Sequence, residues 1–337
     1  MSGEREAVVA AGKKLLAEGL IARTWGNVSC RRGNRMWITP SGRSYEDLRT
    51  DEIVPMEIAD GDGSGGLNPS SEWRVHRAIY RERRDISFII HTHQKEASVF
   101  STLGLDLPLG QGRAVPVAAY GFPGSADLEA AVAAVLGSAD GVLMANHGIL
   151  AFGKDGESAF AFAREMERFA AFEIEKALAD KAWDLYAFAM SAMTAIPLAA
   201  VSSFADMAAA IRARRRDIVT VLPVRSEAVL AFSRLRRNLC PYLDDFAQII
   251  GAEMSWAPQD PQAVAAAFGD RHGVFLAGAG ALMGGATAAD AQAAALIAEK
   301  NCRAFFVGRL FHGANPLGAK EAAALRRFYL DVYSRRY

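Results

Sequence analysis

The sequence predicts a mixed, layered α/β/α domain followed by a truncated, degenerate copy of the same fold. Three observations carry that expectation. Short apolar strand-like runs alternate with helical stretches, but without a regular βαβ rhythm, which argues against a purely parallel sheet. Identities recur at an offset of 132 residues: Ser70-Ser71 with Ser202-Ser203, Arg83-Arg84-Asp85-Ile86 with Arg215-Arg216-Asp217-Ile218, and Gly141 and Gly148 with Gly273 and Gly280. Residues 1–69 have no counterpart in the second copy, which places a boundary near Leu198–Val201 and divides the chain into units 1–198 and 199–337.

Element by element, Arg5–Ala17 has helical spacing and is closed by Gly19, a residue type suited to the position after a helix end. Short strands are expected around Asn27–Cys30, Met36–Ile38 and Ile53–Ile58, and the Gly-, Asp- and Ser-rich run Asp60–Gly66 reads as a surface loop. Ser71 is placed to N-cap a helix over 72–83. A strand over 86–92 and helices over 94–102 and 125–137 follow, the latter after Pro123-Gly124. Strands over 141–145 and 149–152 and a long helix over 155–179 complete the first unit. The second is expected as helix 203–215, strand 217–222, helices 226–236 and 260–268, strand 273–277, helix 287–309 and a terminal helix from about Ala319.

Composition narrows the partners. With 38 Lys+Arg against 38 Asp+Glu, nothing in the charge favours nucleic acid or an acidic membrane surface. The basic runs Arg81–Arg84 and Arg212–Arg216 read as solvated helix faces. Three distant cysteines, Cys30, Cys240 and Cys302, give no disulfide framework and fit a reducing cytoplasm. The N-terminus leads into an amphipathic helix rather than a signal peptide. The most apolar stretch, Tyr186–Val201, is short and interrupted by Pro197, so it reads as core or subunit contact rather than a membrane span.

The most informative motif is His91-Thr92-His93, which closes the apolar run Ile86–Ile90. Residues two apart on a strand project to one face, so this end presents two imidazoles side by side, half of a metal site. Glu72 upstream and His147 downstream, after the run Gly141–Ala145, supply a carboxylate and a third imidazole at element ends. In the repeat register Glu72 falls opposite Phe204, His91 opposite Pro223, His93 opposite Arg225 and His147 opposite Ala279. The second copy keeps a fold and discards a site, and the alignment needs no gap between its first and last matched pairs. Gly278-Ala279-Gly280 is then the remnant of Asn146-His147-Gly148 and not a dinucleotide fingerprint. His76 is expected on the outer side of its helix, and His272 and His312, each before a glycine, in capping or surface roles.

Gly26-Asn27-Val28-Ser29, Thr39-Pro40-Ser41-Gly42, Ser70-Ser71-Glu72-Trp73, His91-Thr92-His93 and Asn146-His147-Gly148, in this order and spacing, resemble the class II aldolase/adducin family, most closely its L-fuculose-1-phosphate aldolase branch, over roughly residues 5–180. The resemblance implies Zn²⁺, or Mn²⁺ or Co²⁺, held by His91, His93 and His147. It implies that Glu72 is a metal ligand at rest and the general acid/base once substrate displaces it. Gly26, Asn27, Ser41, Gly42, Ser70 and Ser71 would cradle a substrate phosphate.

The implied activity is that of a metal-dependent lyase: retro-aldol cleavage of a small phosphorylated ketose through a metal-stabilised enediolate. Neutral imidazoles leave the ion its full charge, and a neighbouring carboxylate can take a proton and return it. Related enzymes with the same triad act as sugar-phosphate dehydratases, decarboxylases or epimerases. Glu72 stands where the epimerases typically carry Asp, which argues against epimerisation. The stretch Phe100–Tyr120 is shorter than in the fuculose-phosphate enzyme, whose loop supplies a tyrosine, and Tyr120 is a poor substitute by position. A non-catalytic, adducin-like scaffold is the alternative of another class, and it suits the second unit better than the first. The family's fourfold rings imply a homo-oligomer here: a dimer of tandem chains with two metal sites, or a tetramer.

Overall fold

The computed structural model describes residues 2–21, 25–61, 63, 66–180, 204–311 and 313–333. They belong to two units, Met1–Glu175 and Lys176–Tyr337. The expected boundary at Leu198–Val201, the apolar stretch Tyr186–Val201 and His312 lie outside the described residues.

The first unit is built on seven strands: β1 (Asn27–Arg32), β2 (Arg35–Ile38), β3 (Val54–Glu57), β4 (Phe88–Thr92), β7 (Val117–Ala118), β8 (Gly141–Met144) and β9 (Gly148–Gly153). Their order is β3-β2-β1-β4-β9-β8-β7, antiparallel throughout except for the parallel pair β7/β8. A separate hairpin, β5 (Leu107–Gly110) and β6 (Arg113–Val115), turns on Gln111 and Gly112, both with positive φ. The sequence reading missed this hairpin and β7, because strands of two to four residues carry too little alternation to register.

Cross-strand pairing puts Asn27 opposite His91, Ser29 opposite Ile38 and Ile89, and His91 opposite Leu150, so these side chains share a face. On that face Met36, Ile38, Ile89, Val142, Leu150 and Phe152 form one core with Val75 and Ile79 of α2 (Trp73–Glu82) and Leu128 and Val132 of α4 (Ala126–Val135). Each such fully buried aliphatic side chain contributes roughly 1.5–3 kcal/mol. On the other face α1 (Ser2–Ala17) packs on β1 and α3 (Lys95–Ser101) on β9, while α5 (Gly156–Asp180) brings Phe162 and Met166 against Gly141. The layering is α/β/α.

Two local expectations need correction. Ser71 does not cap α2; Glu72 holds the N-cap position without a side-chain cap bond, because its carboxylate turns away to Asn27 and the histidines. His76 is not on the outer side of α2 but fully buried, since Ser29 on the sheet offers it a hydrogen-bond partner.

The second unit comprises α6 (Phe204–Arg214), β10 (Thr220–Val224), α7 (Glu227–Ser233), α8 (Asp244–Ile249), β11 (Trp256–Ala257), α9 (Pro261–Phe268), β12 (Gly273–Leu276), β13 (Gly280–Gly285), α10 (Ala288–Leu310) and α11 (Ala319–Phe328). Its sheet order, β10-β13-β12-β11 with a parallel last pair, reproduces β4-β9-β8-β7. It is a truncated, degenerate copy of the first. Strand β10 starts later than the expected 217–222, and β13 was missed because its run Gly280–Gly285 is rich in glycine.

The 132-residue offset holds for β4 and β10, α3 and α7, β8 and β12, and β9 and β13, but not throughout. Val117 pairs with Leu143 as Trp256 pairs with Phe275, an offset of 139. The expectation of a gapless alignment therefore fails between α3 and the end of α4: the N-caps of the matching helices, Ser125 and Asp260, still stand at an offset of 135. The offset is regained by the end of α4. Arg83 pairs with Asp85 and donates to the carbonyls of Gly137 and Ala139; Arg215 pairs with Asp217 and donates to those of Gly269 and Arg271. These two arginines are clamps rather than part of a solvated face. Removing the clamp leaves carbonyls without their charged donor, so Arg83→Ala should lower unfolding free energy by about 1.5–3 kcal/mol in urea titrations. A wild-type midpoint would contradict the assignment.

Candidate metal centre

Two separate segments deliver the three histidines. His91 lies near the end of β4 and His93 just beyond it. His147 sits in the loop Ala145-Asn146-His147 joining β8 to β9, where Met144 pairs with Gly148 and the His147 amide donates to the Met144 carbonyl at 3.1 Å. Asn146 takes the left-handed conformation the turn requires, with φ of 60°. Gly148 is equally constrained: a Cβ there would stand 2.5 Å from the Thr92 carbonyl oxygen and 3.2 Å from His91 Cε1.

The ligand atoms of His91, His93 and His147 all lie within 4.8 Å of one another. His91 Nε2 is 2.9 Å from His93 Nε2 and 3.2 Å from His147 Nε2. Glu72 completes the group, with Oε1 2.9 Å from His147 Nε2 and Oε2 3.2 Å from His91 Nε2. Asn27 Nδ2 donates to Glu72 Oε2 at 2.8 Å, so its amide orients the carboxylate.

Proton accounting tests whether this set suits a cation. His91 Nδ1 is 2.8 Å from the Ile149 carbonyl oxygen, which only accepts, so Nδ1 carries the ring proton. Burial pushes the His91 imidazole well below its usual range, despite the Glu72 charge, and the ring is neutral. Nε2 therefore presents a lone pair to a carboxylate and two other imidazole nitrogens. Burial raises the Glu72 carboxyl, and only positive charge where His91, His147 and His93 face it holds it well below the usual carboxylate range; with the His91 ring neutral, that charge is what a cation among them would supply. Converging lone pairs and a buried carboxylate are costly without a positive charge among them. Ligands at metal–nitrogen distances of about 2.05 Å in a tetrahedral site stand about 3.3 Å apart, close to the spacings here. The donor set fits a divalent ion.

The expected phosphate residues are also brought together. Pro40 bridges Pro69, the Ser41 amide donates to the Asn68 carbonyl, and the Ser70 amide to the Thr39 carbonyl. Thr39 Oγ1 accepts from the Val28 amide, tying this pair of turns to the Gly26-Asn27 segment. Gly26 and Gly42 both have positive φ, and a Cβ on Gly26 would stand 2.4 Å from the His91 carbonyl oxygen. Ser71 follows Ser70 into the start of α2, its carbonyl in close approach to Gly124. Two neighbours escaped the sequence reading: Tyr45, which donates to the Gly26 carbonyl at 2.8 Å, and Trp25, whose ring lies 6.4 Å from that of His93. Trp25 directly precedes the Gly-Asn motif, so position alone could have flagged it; nothing local marks Tyr45.

The sequence pattern of the Class II Aldolase and Adducin N-terminal domain family matches residues 6–174 and, separately, 186–306. The chain belongs to that family. It is similar to the 5-methylthioribulose-1-phosphate/5-deoxyribulose-1-phosphate aldolase of Rhodospirillum rubrum, 34% identical over 49% of this chain and 78% of the relative. It is also similar to the 5-deoxy-D-ribulose 1-phosphate aldolase of Bacillus thuringiensis, at 36% over 49% and 81%, respectively. A solved L-fuculose 1-phosphate aldolase is 35% identical with a TM-score of 0.49, covering 51% of this chain and 85% of that one. The chain is an enzyme of the class II aldolase type, with a histidine triad able to bind a metal. Among the described residues no helix is long and apolar enough to cross a membrane.

Burial pushes the His76 imidazole down to about 4, against the pull of Glu72. Between roughly pH 6.5 and 4 the unfolded chain thus binds a proton at His76 that the folded chain does not. Metal-free protein should lose stability as pH falls through this window, by up to about 1.4 kcal/mol per unit from His76, and the buried neutral His91 shifts stability in the same sense. Below pH about 4.5, protonation of Glu72 in the unfolded state adds to the loss. Urea midpoints of chelator-treated protein at several pH values check this, and a flat profile would refute it.

Proposed function

We propose that the first unit is a divalent-metal aldolase acting on a small ketose phosphate, with His91, His93 and His147 as metal ligands and Glu72 as the group that moves the proton. The observation that carries this reading is the His91 ring, whose bonded Nδ1 leaves Nε2 facing two more imidazoles and a carboxylate. A bound ion supplies Lewis-acid stabilisation of the negative charge that develops on the substrate oxygens.

The remaining work belongs to the chain. Glu72, ionised at rest, accepts a proton from the substrate carbon in the condensing direction; in cleavage the proton lost by the hydroxyl that becomes the aldehyde passes to the carboxylate, which delivers it to the enediolate carbon. Asn27 aims the carboxylate through Oε2. Gly26, Ser41, Gly42, Ser70 and Ser71 are proposed to seat the phosphate, since positive-φ glycines and hydroxyls bring donors to an anion without steric obstruction. The two aldolases named for ribulose 1-phosphates support a ketose 1-phosphate as the substrate class. Zn²⁺, Mn²⁺ and Co²⁺ all accept such ligands.

The second unit has Pro223, Arg225 and Ala279 at the three ligand positions and so is not proposed to bind this ion. We further propose a homo-oligomer of tandem chains, a reading supported by two family segments in one chain. A screen of ketose 1-phosphates with metal-loaded protein, following dihydroxyacetone phosphate and aldehyde release, tests the activity. Glu72→Gln should lower kcat by about 10²–10⁴-fold while leaving the metal bound. His91→Ala should lose the metal itself, and elemental analysis should give close to one ion per wild-type chain. Wild-type turnover in Glu72→Gln, or two ions per chain, would overturn the assignment. A monomer by mass photometry would overturn the assembly.

A further inference from the structure

Asn27, Ser29 and Arg31 alternate along β1 and share one face, while Glu72, His76 and Tyr80 recur every fourth residue along α2. Two strand residues advance about 6.7 Å and four helical residues about 6.0 Å, so the two rows stay matched over three rungs. Each step is bonded. Asn27 Nδ2 donates to Glu72 Oε2 at 2.8 Å, and Ser29 Oγ lies 2.7 Å from His76 Nδ1. The Tyr80 hydroxyl lies 2.9 Å from Ser29 Oγ and donates to the Ser29 carbonyl at 3.1 Å. Arg31 closes the row, donating to the Tyr80 carbonyl at 2.7 Å with its guanidinium 5.3 Å from the Tyr80 ring centre.

Ser29, His76 and Tyr80 are fully buried beside Ile38, Val75 and Ile79. A polar row in such a core is costly unless satisfied, and it fixes one register between strand and helix. Among the described residues the second copy has no counterpart of β1, so only its helix can be compared. At the matching positions α6 carries Phe204, Ala208 and Arg212, yet it packs through Met207 and Ile211 into its own core. That copy retains the Arg215–Asp217 clamp but neither the polar row nor the metal-ligating histidines. There the helix positions that face β1 in the first unit have lost their polar side chains along with the strand and the site.

We propose that Ser29 and His76, secured by Tyr80, are positioning residues that lock α2 in register on β1 and so hold the Glu72 carboxylate against His91 and His147. The proposal rests on the reading of Glu72 as the proton-moving group.

The test uses the full chain loaded with Co²⁺, following deuterium exchange from solvent into dihydroxyacetone phosphate by NMR, with Co²⁺ visible spectra alongside. His76→Leu should slow exchange about 10- to 100-fold, with dihydroxyacetone phosphate affinity within about twofold of wild type. His76→Asn, whose amide can replace Nδ1, should restore exchange to within about threefold of wild type. In a Glu72→Gln background, His76→Leu should cost nothing further. Tyr80→Phe, a milder change, should slow exchange in the same sense and decides the matter if His76→Leu fails to fold. Wild-type exchange in folded His76→Leu or Tyr80→Phe would overturn the proposal, as would losses that add to that of Glu72→Gln. If Glu72→Gln itself exchanges normally, the reading of Glu72 falls instead. Positioning is then judged by the Co²⁺ band: a shift in His76→Leu supports it, and an unchanged band refutes it.

Discussion

The hydrogen bond from His91 Nδ1 to the Ile149 carbonyl decides the character of the first unit. It joins a ring on β4 to the backbone of β9, and so depends on the central pairing of the sheet. By placing the proton on one nitrogen it turns the other into a donor electron pair, aimed at His93, His147 and Glu72. Burial enforces the neutral ring, and the same burial makes the facing carboxylate expensive without a cation. The sheet register, the glycine at 148 and the tight turn at Asn146 all serve that one orientation.

Much of the site was legible because its chemistry is local in sequence. His91 and His93 announce themselves by strand spacing, and Glu72 by its place at the start of α2. What stayed hidden depends on partners distant in the chain. Nothing near His76 reveals that Ser29 lies beneath it, so a polar residue on a helix was read as exposed. Ser71 looked like a cap because hydroxyls usually are; the helix begins one residue later, with the Glu72 side chain committed to the site. Fold class was legible from the alternation of elements, whereas β7 and β11, two residues each, were not.

Comparison of the two copies separates architecture from chemistry. The arginine clamps, the strand order and the parallel last pair persist. The imidazoles, the carboxylate and the polar rungs behind it do not. Lengths between α3 and the end of α4 drifted and then compensated, as connections tolerate more change than the strands they join.

The hairpin that carries His147 has an evolutionary corollary. Its shape is dictated by a left-handed residue, Asn146 in one copy and Gly278 in the other, and by the glycine that follows. The residue between them makes the same amide bond back to the preceding strand in both copies, so exchanging an imidazole for the methyl group of Ala279 leaves that bond in place, although the glycine that follows takes a positive φ only in the second copy. Reactivity here is a detachable ornament on a rigid bend, which lets a duplicated unit fall silent without first coming apart.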